Sequence, residues 1–367
     1  MPVGRGGFAE VWAAKIPLRA GKKAEMCGKT GRTCYVARGF KPTFDHPGFL
    51  RDEHGVELQG VHVDGIGPVF SIAVKAMADK RSGMDIPELQ ALEAMRAQPS
   101  QHILKMYSHF FTNPRMGSPT LYIVTELLQP AQELYEVVAS GGRMGGEQAK
   151  EHMRQIFAGV AHIHALGWAH RDLKLENVIM YTPPTDGFVD KIIDFGFATA
   201  AQPCQDVLGT AAYVAPEVIS DLTYDGWAVD MYACGVMLYV MLCGEYPFPS
   251  RGIKGVGPDM SESSKEAIRL SRAATAMQGE RWLRVVPVDA KKLIGQLMHD
   301  EPTTRPTAVQ ALDDSTFLRR RVEVTPSCRC QTTACAADAA AAGAGAQAAA
   351  PNVEKDSWEE SGLRGLR

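Results

Sequence analysis

The segment HRDLKLEN, residues 170–177, places three chemically different side chains close together along the chain. Asp172 has a carboxylate that can accept a hydrogen bond from a hydroxyl group, and Lys174 has an ammonium that can neutralise an anion. Asn177 offers an uncharged oxygen to a divalent cation, and Asp194 in the segment KIIDFGFA offers a charged one. These functions suit phosphoryl transfer, because that reaction depends on an oriented nucleophile, bound metal and neutralised charge.

Each of these residues also has a simpler interpretation when it is taken alone. Asp172 could cap a helix and Asp194 could belong to a turn, since aspartate is common in both places. The interpretation as a catalytic site therefore depends on the other groups that the chain supplies in order.

Upstream of these residues lies a second group of features suited to binding phosphate. In GRGGFAEV, Gly4 and Gly6 let the backbone approach anionic oxygens closely, although a simple hairpin turn has the same composition. Lys75 lies in the apolar run VFSIAVKAM, where an ammonium needs an acidic partner because its desolvation is costly. Glu88 on the next predicted helix is the first choice for that partner, and Glu93 is the alternative.

The ordered motifs resemble the catalytic domain of eukaryotic serine/threonine protein kinases over about residues 3–318. In that family a G-x-G-x-x-G-x-V loop covers ATP, a strand lysine holds the phosphates, and a helix glutamate pairs with the lysine. The motif style is nearest to the calcium/calmodulin-dependent kinase-like group. The resemblance implies ATP-dependent phosphoryl transfer to serine or threonine hydroxyls of proteins, with ATP and Mg²⁺ as cofactors.

The resemblance also assigns roles to individual residues. The implied catalytic residues are Asp172, Lys174, Lys75 and Glu88. The implied nucleotide-binding residues are Val3, Gly4, Gly6, Val11, Ala73, Lys75, Thr125, Glu126, Leu128, Glu133, Asn177 and Asp194. The implied magnesium ligands are Asn177 and Asp194.

Two residues depart from the family pattern. Ala9 stands where the third glycine of the loop is usual, and we expect weaker or slower nucleotide binding at most. Leu175 stands where proline is common, and we expect no loss of chemistry from it. Ala9 and an insertion of about residues 15–68 support an alternative, a pseudokinase scaffold that binds nucleotide or partners without turnover. Retention of every chemical group favours the active enzyme. A small-molecule phosphotransferase is a third possibility, and the segment GTAAYVAPE argues against it.

The resemblance further predicts contacts that support the site. Thr210 is expected to form hydrogen bonds toward Asp172 and Lys174. Glu217 is expected to pair with Arg305 in the segment DEPTTRPT. A third support is a cap on the backbone amides of the catalytic loop, residues 170–177, supplied from a buried helix by Asp230.

Charges near the site suggest regulation and specificity. Arg171 needs a negative partner in the activation loop, and residues 200–209 contain no serine, threonine or tyrosine. Asp206 is therefore hypothesised to supply a permanent, weaker charge, the alternative being a solvated loop acid. Glu133 and Glu176 match acids that in some kinases contact basic residues before the acceptor, so basic peptides are the expected substrates.

Strands followed by helices must position these residues. Apolar and β-branched runs predict strands over residues 3–13, 69–77 and 121–128. Helical periodicity predicts helices over residues 85–97, with Asp85 as N-cap, and 147–167. The uncharged stretch 231–244 is too short to span a bilayer and predicts a buried helix.

This order predicts the α+β class and the bilobal protein kinase fold, with a small β-rich N-lobe holding one key helix and a larger, mostly helical C-lobe. The predicted kinase domain is 1–318, with the N-lobe at about 1–125, the insertion at about 15–68 and the C-lobe at about 129–318. The Ala-rich segment 322–367 is predicted to be a disordered tail, because it has no apolar stripe to pack.

Composition limits the partners and the compartment. A net charge of −3 and 22% charged residues give no electrostatic case for nucleic acid or an anionic membrane. The N-terminus lacks the apolar run of a secretion signal, and the eight cysteines are scattered rather than arranged as a disulfide framework. We expect a cytoplasmic monomer that acts on protein substrates.

Overall fold

A computed structural model defines the architecture of most of the chain up to Arg319. The described residues are 2–5, 9–17, 43–46, 49–51, 57–58, 60–63, 67–78, 86–112, 120–183, 187–248, 253, 255–273 and 280–319. Residues Met1–Arg319 form one compact unit and Arg320–Arg367 a second. The second unit lies outside the described residues, so the disordered tail over 322–367 stays a prediction.

Strands dominate the N-terminal part. They are β1 Pro2–Arg5, β2 Ala9–Pro17, β3 Thr43–His46, β4 Phe49–Arg51, β5 Glu57–Leu58, β6 Gly60–Val63, β7 Gly67–Ala78, β8 Met106–Thr112 and β9 Thr120–Glu126. A six-stranded sheet has the order β1-β2-β7-β9-β8, with β6 also paired to β7. Its register sets Gly4 opposite Val11, and Val11 opposite Lys75.

The segment predicted as an insertion contains strands of its own. Strands β3, β4 and β5 form a separate three-stranded sheet, whereas β6 returns to the main sheet. Strands β2 and β7 also continue into the predicted insertion, since their pairing runs on to Pro17 opposite Val69. Part of the segment, residues 18–42, lies outside the described residues.

Helix α1, Pro87–Ala97, differs from the prediction at its start. The N-cap is Ile86 rather than Asp85, which lies outside the described residues, and no side chain caps the helix. The residue before a proline favours an extended backbone, so Ile86 is not helical and the helix begins at Pro87. Pro87 fits the first turn because the amide it lacks has no partner there.

Helices dominate the C-terminal part. The remaining strands are β10 Ala131–Glu133, β11 Val178–Tyr181, β12 Val189–Ile192, β13 Gly209–Thr210 and β14 Gly255–Val256. The remaining helices are α2 Leu134–Gly141, α3 Gly146–Ala165, α4 Pro216–Ser220, α5 Gly226–Cys243, α6 Glu262–Ala273, α7 Glu280–Val285, α8 Val288–Leu297 and α9 Ala308–Asp314. Together with the N-terminal sheet, they confirm the predicted α+β, two-lobed fold.

Two predicted helices pack as their sequences indicate. The stripe of α3 formed by Met153, Ile156, Val160 and Ile163 is at most 1% exposed. Helix α5 is buried on all sides, as expected from its uniformly apolar sequence. It is also long and apolar enough to cross a membrane, but 94% of its apolar window is buried within the protein, which is typical of a core helix.

Candidate active site

Lys75 connects the sheet to helix α1 and to Asp194. Its Nζ lies 2.6 Å from Glu88 Oε1 and 3.0 Å from Asp194 Oδ1. Glu93, the alternative partner, lies instead 3.4 Å from the ring of His109. Burial lowers the pKa of Lys75, but the carboxylates of Glu88 and Asp194 outweigh burial and raise it. The ammonium is therefore held charged where an anionic ligand can reach it.

A hydrogen-bonded cluster surrounds the carboxylate of Asp172. Lys174 Nζ donates to its Oδ2 at 2.6 Å, and Thr210 Oγ1 donates to its Oδ1 at 2.7 Å. Lys174 also donates to the hydroxyl of Thr210 at 3.0 Å, which closes a triangle. A carboxylate has about four lone-pair positions, so Asp172 can still accept a hydrogen bond from a substrate hydroxyl.

Helix α5 holds the start of the catalytic loop through hydrogen bonds. Asp230, 1% exposed, accepts hydrogen bonds from the backbone amides of His170 at 2.8 Å and Arg171 at 2.7 Å. Arg171 has a φ of 64°, a left-handed conformation that costs energy for a residue with a long side chain. The buried carboxylate therefore stabilises a strained turn that aims the residues after it.

Asn177 and Asp194 are brought together by the β11–β12 hairpin. The Ile193 amide donates to the Asn177 carbonyl at 2.9 Å, next to the register pair of Val178 and Ile192. The Asn177 side-chain nitrogen donates to the Asp172 carbonyl at 2.9 Å, which leaves its amide oxygen available to a cation. Burial opposes the charge on Asp194, but Lys75 lowers the pKa of this carboxyl below its usual value.

The donor atoms of Asp194 and Asn177 match the ligand preference of Mg²⁺, the metal ion that the resemblance implies. An ionised, half-exposed carboxylate and a free amide oxygen are donors that Mg²⁺ accepts, with water and phosphate oxygens completing its shell. No group of three or more histidine, cysteine or acidic side chains is placed to hold a metal ion among the described residues, so a metal site made by protein alone is not present there. Asp194 and Asn177 fit a magnesium ion shared with a nucleotide.

The other residues predicted to bind nucleotide are placed unevenly. Thr125 and Glu126 are buried at the end of β9, and Leu128 follows half-buried in the connection to β10. Val3, Gly4 and Val11 lie in β1 and β2, while Ala73 lies opposite Thr125 in the register of β7 and β9. Gly6 lies outside the described residues.

One charged residue at this site was missed by the sequence analysis. Lys191 on β12 lies 2.8 Å from Glu126, and both side chains are 10% exposed. The sequence did carry a signal, since a lysine in the apolar strand VDKII needs an acidic partner for the same reason as Lys75. This pair joins the connection between the lobes to the strand that leads to Asp194.

Acidic side chains lie beside the catalytic loop. The Tyr213 hydroxyl donates to Glu176 Oε2 at 3.3 Å and lies 3.4 Å from the Tyr246 hydroxyl. Burial raises the pKa of Glu176, and Lys174 and Tyr213 offset this only in part. Burial also raises the pKa of Glu133, and the carboxylates of Glu136 and Glu176 add to the effect. These acids form a negative patch at the exposed end of β10.

We call the residues between Asp194 and helix α4 the activation segment. Arg171 joins this segment to the catalytic loop. Its Nη1 lies 3.5 Å from Asp206 Oδ2, and its Nε donates to the Phe197 carbonyl at 2.8 Å. The Tyr224 hydroxyl donates to the Asp206 carbonyl at 2.6 Å, which fixes the backbone at that position. Asp206 is 72% exposed, so its ion pair is a partly screened one.

Glu217 and Arg305 form a second, deeper ion pair. Arg305 Nη1 lies 2.5 Å from Glu217 Oε1, and Nη2 lies 2.9 Å from Oε2. Both side chains are at most 4% exposed. This pair holds helix α4, which follows the activation segment, against the C-terminal helices.

Comparison with known proteins decides the family. The sequence profile described as the protein kinase domain matches residues 69–317, more than half of the chain. The chain belongs to the protein kinase family. The match begins in strand β7, so the glycine-rich turn and the segment 15–68 precede it.

Several curated plant kinases are similar to this kinase domain. CBL-interacting protein kinase 31 of Oryza sativa subsp. japonica is 35% identical over 209 residues, 55% of this chain and 42% of that protein. Serine/threonine-protein kinase SAPK3 of Oryza sativa subsp. indica is 33% identical over 205 residues, 55% of this chain and 58% of that protein. Serine/threonine-protein kinase SRK2D of Arabidopsis thaliana is 35% identical over 191 residues, which cover 51% of this chain and 49% of that protein. The kinase domain thus spans about half the length of the curated relatives it matches.

Proposed function

We propose that this protein transfers the terminal phosphoryl group of ATP to serine or threonine hydroxyls of protein substrates. The observation that carries the proposal is the convergence of two clusters. One is Glu88–Lys75–Asp194, which suits a metal-bound phosphate chain. The other is built around Asp172, which suits a hydroxyl nucleophile, and Asn177 connects the two.

Each side chain has a part that its contacts support. Lys75, held by Glu88, binds phosphate oxygens through its ammonium. Asp194 and Asn177 hold Mg²⁺, which supplies positive charge to the phosphate oxygens when it is bound. Asp172 accepts the hydrogen bond of the substrate hydroxyl and orients it for in-line attack. Lys174, 2.6 Å from Asp172, neutralises charge on the moving phosphoryl group.

A direct assay tests this function. Purified protein is incubated with γ-labelled ATP, Mg²⁺ and a generic basic protein, and label in serine and threonine is measured. We expect label with the parent chain and almost none with Asp172→Ala. The absence of label with a folded, nucleotide-binding parent chain would support the pseudokinase alternative.

The substrate class is proposed from the acidic patch. Burial raises the pKa of Glu133, and the carboxylates of Glu136 and Glu176 raise it further, so a cation placed beside Glu133 relieves repulsion as well as gaining attraction. We infer that peptides with arginine or lysine before the acceptor bind best. A peptide array that varies the residues before the acceptor tests this preference.

Asp206 supports a further proposal about regulation. Its carboxylate lies within 3.5 Å of Arg171, where it supplies a negative charge without phosphorylation. Activity then does not depend on modification of residues 200–209. A cytoplasmic location and a monomeric state are proposed from composition alone, and fractionation and light scattering test them.

A further inference from the structure

A short strand of the chain lies directly beside the residue that holds the catalytic carboxylate. Strand β13, Gly209–Thr210, pairs with β14, Gly255–Val256, in an antiparallel two-stranded sheet. Gly209 is opposite Val256, and Thr210 is opposite Gly255. Since the Thr210 hydroxyl donates to Asp172 at 2.7 Å, β14 pairs directly with a residue that contacts the catalytic carboxylate.

The register gives position 255 a specific direction. Residues directly opposite each other in an antiparallel pair project to the same face, with Cβ atoms about 5 Å apart. The hydroxyl of Thr210 contacts Asp172, so a side chain at position 255 would project to the same face of the ladder as that contact. A Cβ built at Gly255 meets no atom within 4 Å, and the backbone there is not left-handed. A side chain at position 255 therefore has room to be accommodated, but glycine supplies no hydroxyl.

Strand β14 also takes the edge that a peptide would use. Extended peptides commonly bind by adding a strand to an open edge, so that backbone hydrogen bonds supply affinity. The carbonyl of Thr210 is already used by the amides of Tyr213 and Val214, at 2.9 and 3.0 Å. The ladder to Gly255 and Val256 occupies the other edge of β13. A substrate that pairs with β13 must therefore displace β14.

Buried apolar contacts hold β14 in place. Val256 is 6% exposed and belongs to the main apolar core, and Ile253 packs half-buried against the same core. Gly255 between them is exposed. In sequence, Lys254 directly precedes Gly255, which matches the basic residue that the acidic patch favours before an acceptor.

We propose that residues 253–257 are an internal pseudosubstrate, with Gly255 in the acceptor position and Val256 in the position after it. This inference rests on the proposed kinase activity. It has two consequences: protein substrates compete with this segment, and the residue that follows a good acceptor is apolar, like Val256. Regulation then requires only that another molecule pull the segment away from β13.

Substituting the glycine tests the register directly. Gly255→Ser supplies the missing hydroxyl, and Gly255→Ala is the matched control. We expect mass spectrometry to find phosphate at position 255 in the serine variant, at a rate per molecule that does not change on tenfold dilution. The double variant Gly255→Ser/Asp172→Asn, mixed with the parent chain, should remain unmodified. A serine variant that phosphorylates other proteins but never position 255 overturns the proposal.

Loosening the segment tests the competition. Val256→Ser removes the buried anchor, and Val288→Ser, at a position 81% exposed, is its control. We expect KM for a basic peptide to fall about tenfold in Val256→Ser only, with KM for ATP unchanged, because more molecules have β13 free. Binding of a peptide with alanine in place of the acceptor should tighten equally, and this measurement needs no turnover. Equal peptide binding by the parent and Val256→Ser overturns the pseudosubstrate, whereas tighter binding without turnover by any form contradicts only the kinase activity.

Discussion

The ammonium of Lys75 lies 2.6 Å from the carboxylate of Glu88, so strand β7 and helix α1 are joined by an ion pair. Lys75 also contacts Asp194 at 3.0 Å. The sheet, the helix and the hairpin that carries Asp194 therefore meet at one ammonium. Movement of α1 away from the sheet would leave Lys75 without one of its two anionic partners.

Glu88→Gln should lower kcat/KM for phosphoryl transfer by about 10²-fold, because it releases the ammonium of Lys75 from its position. A shift of about 1 Å in a positioning group can reduce the reaction rate by about that factor. Glu93→Gln is the matched control, since Glu93 lies on the same helix and contacts His109 instead. Steady-state kinetics with varied ATP measures the difference. Equal losses of kcat/KM in the two variants would contradict a specific role of the Lys75–Glu88 ion pair in phosphoryl transfer.

Arg305→Met should reduce the free energy of unfolding by about 3–5 kcal/mol, because it leaves the buried Glu217 carboxylate without its partner. Glu266→Gln is the control: this exposed acid pairs with Arg269 on α6, and the change should stay within about 0.5 kcal/mol. Denaturant unfolding measures both. A small effect in Arg305→Met would mean that the buried pair contributes little beyond its desolvation cost.

Asp206→Asn should lower turnover by about two- to fivefold, since it removes an exposed charge that is only partly effective beside Arg171. The defect should shrink as salt is added, because screening weakens the parent ion pair as well. Asp221→Asn, another exposed acid after the activation segment, is the control. Equal turnover of Asp206→Asn and the parent chain would contradict the hypothesis that Asp206 supplies a permanent negative charge to Arg171.

The preference for basic peptides should weaken in mild acid. Burial raises the pKa of Glu176, so this carboxyl takes up a proton at a higher pH than an ordinary glutamate, whose pKa is about 4.3. The carboxylate therefore loses its charge at a higher pH than an ordinary glutamate does as the solution is acidified. KM for an arginine-containing peptide should rise as the pH falls through the raised pKa, whereas KM for its neutral analogue stays flat.

Glu176→Gln should reduce this pH dependence, with Glu133 left to titrate, while leaving the neutral peptide unaffected. Kinetics with both peptides across the pH range make the comparison. If the two peptides gave parallel profiles in the parent chain, the acidic patch would have no part in recognising basic residues.

Local sequence patterns were sufficient for the elements that are regular and well buried. The apolar stripe of α3 was predicted from the helical spacing of its apolar residues. The burial of α5 was predicted from its uniformly apolar sequence. The pairing of Lys75 was predictable because a charge in an apolar strand needs a partner. The start of α1 was predicted wrongly, since the conformational restriction before Pro87 outweighed the capping preference of Asp85.

Contacts between distant segments were beyond the reach of local patterns. The pair of Lys191 and Glu126 joins residues that no periodicity connects, although the buried lysine gave a hint. The ladder between Thr210 and Gly255 involves strands of two residues, too short to leave a pattern. The pairing of β3, β4 and β5 could not be read from local patterns either, because these strands are only two to four residues long.

The proposed activity depends on Asp172, which would orient a hydroxyl toward a nucleotide held by Lys75 and Asp194. Single-turnover transfer of label from γ-labelled ATP and Mg²⁺ to a basic serine peptide, measured beside nucleotide affinity for the parent and Asp172→Asn, tests it most directly. We expect Asp172→Asn to keep the parent's nucleotide affinity and to lose at least about 10²-fold in transfer rate. Equal transfer rates in the two proteins, or a parent chain that binds nucleotide with Mg²⁺ and transfers nothing, would contradict the account.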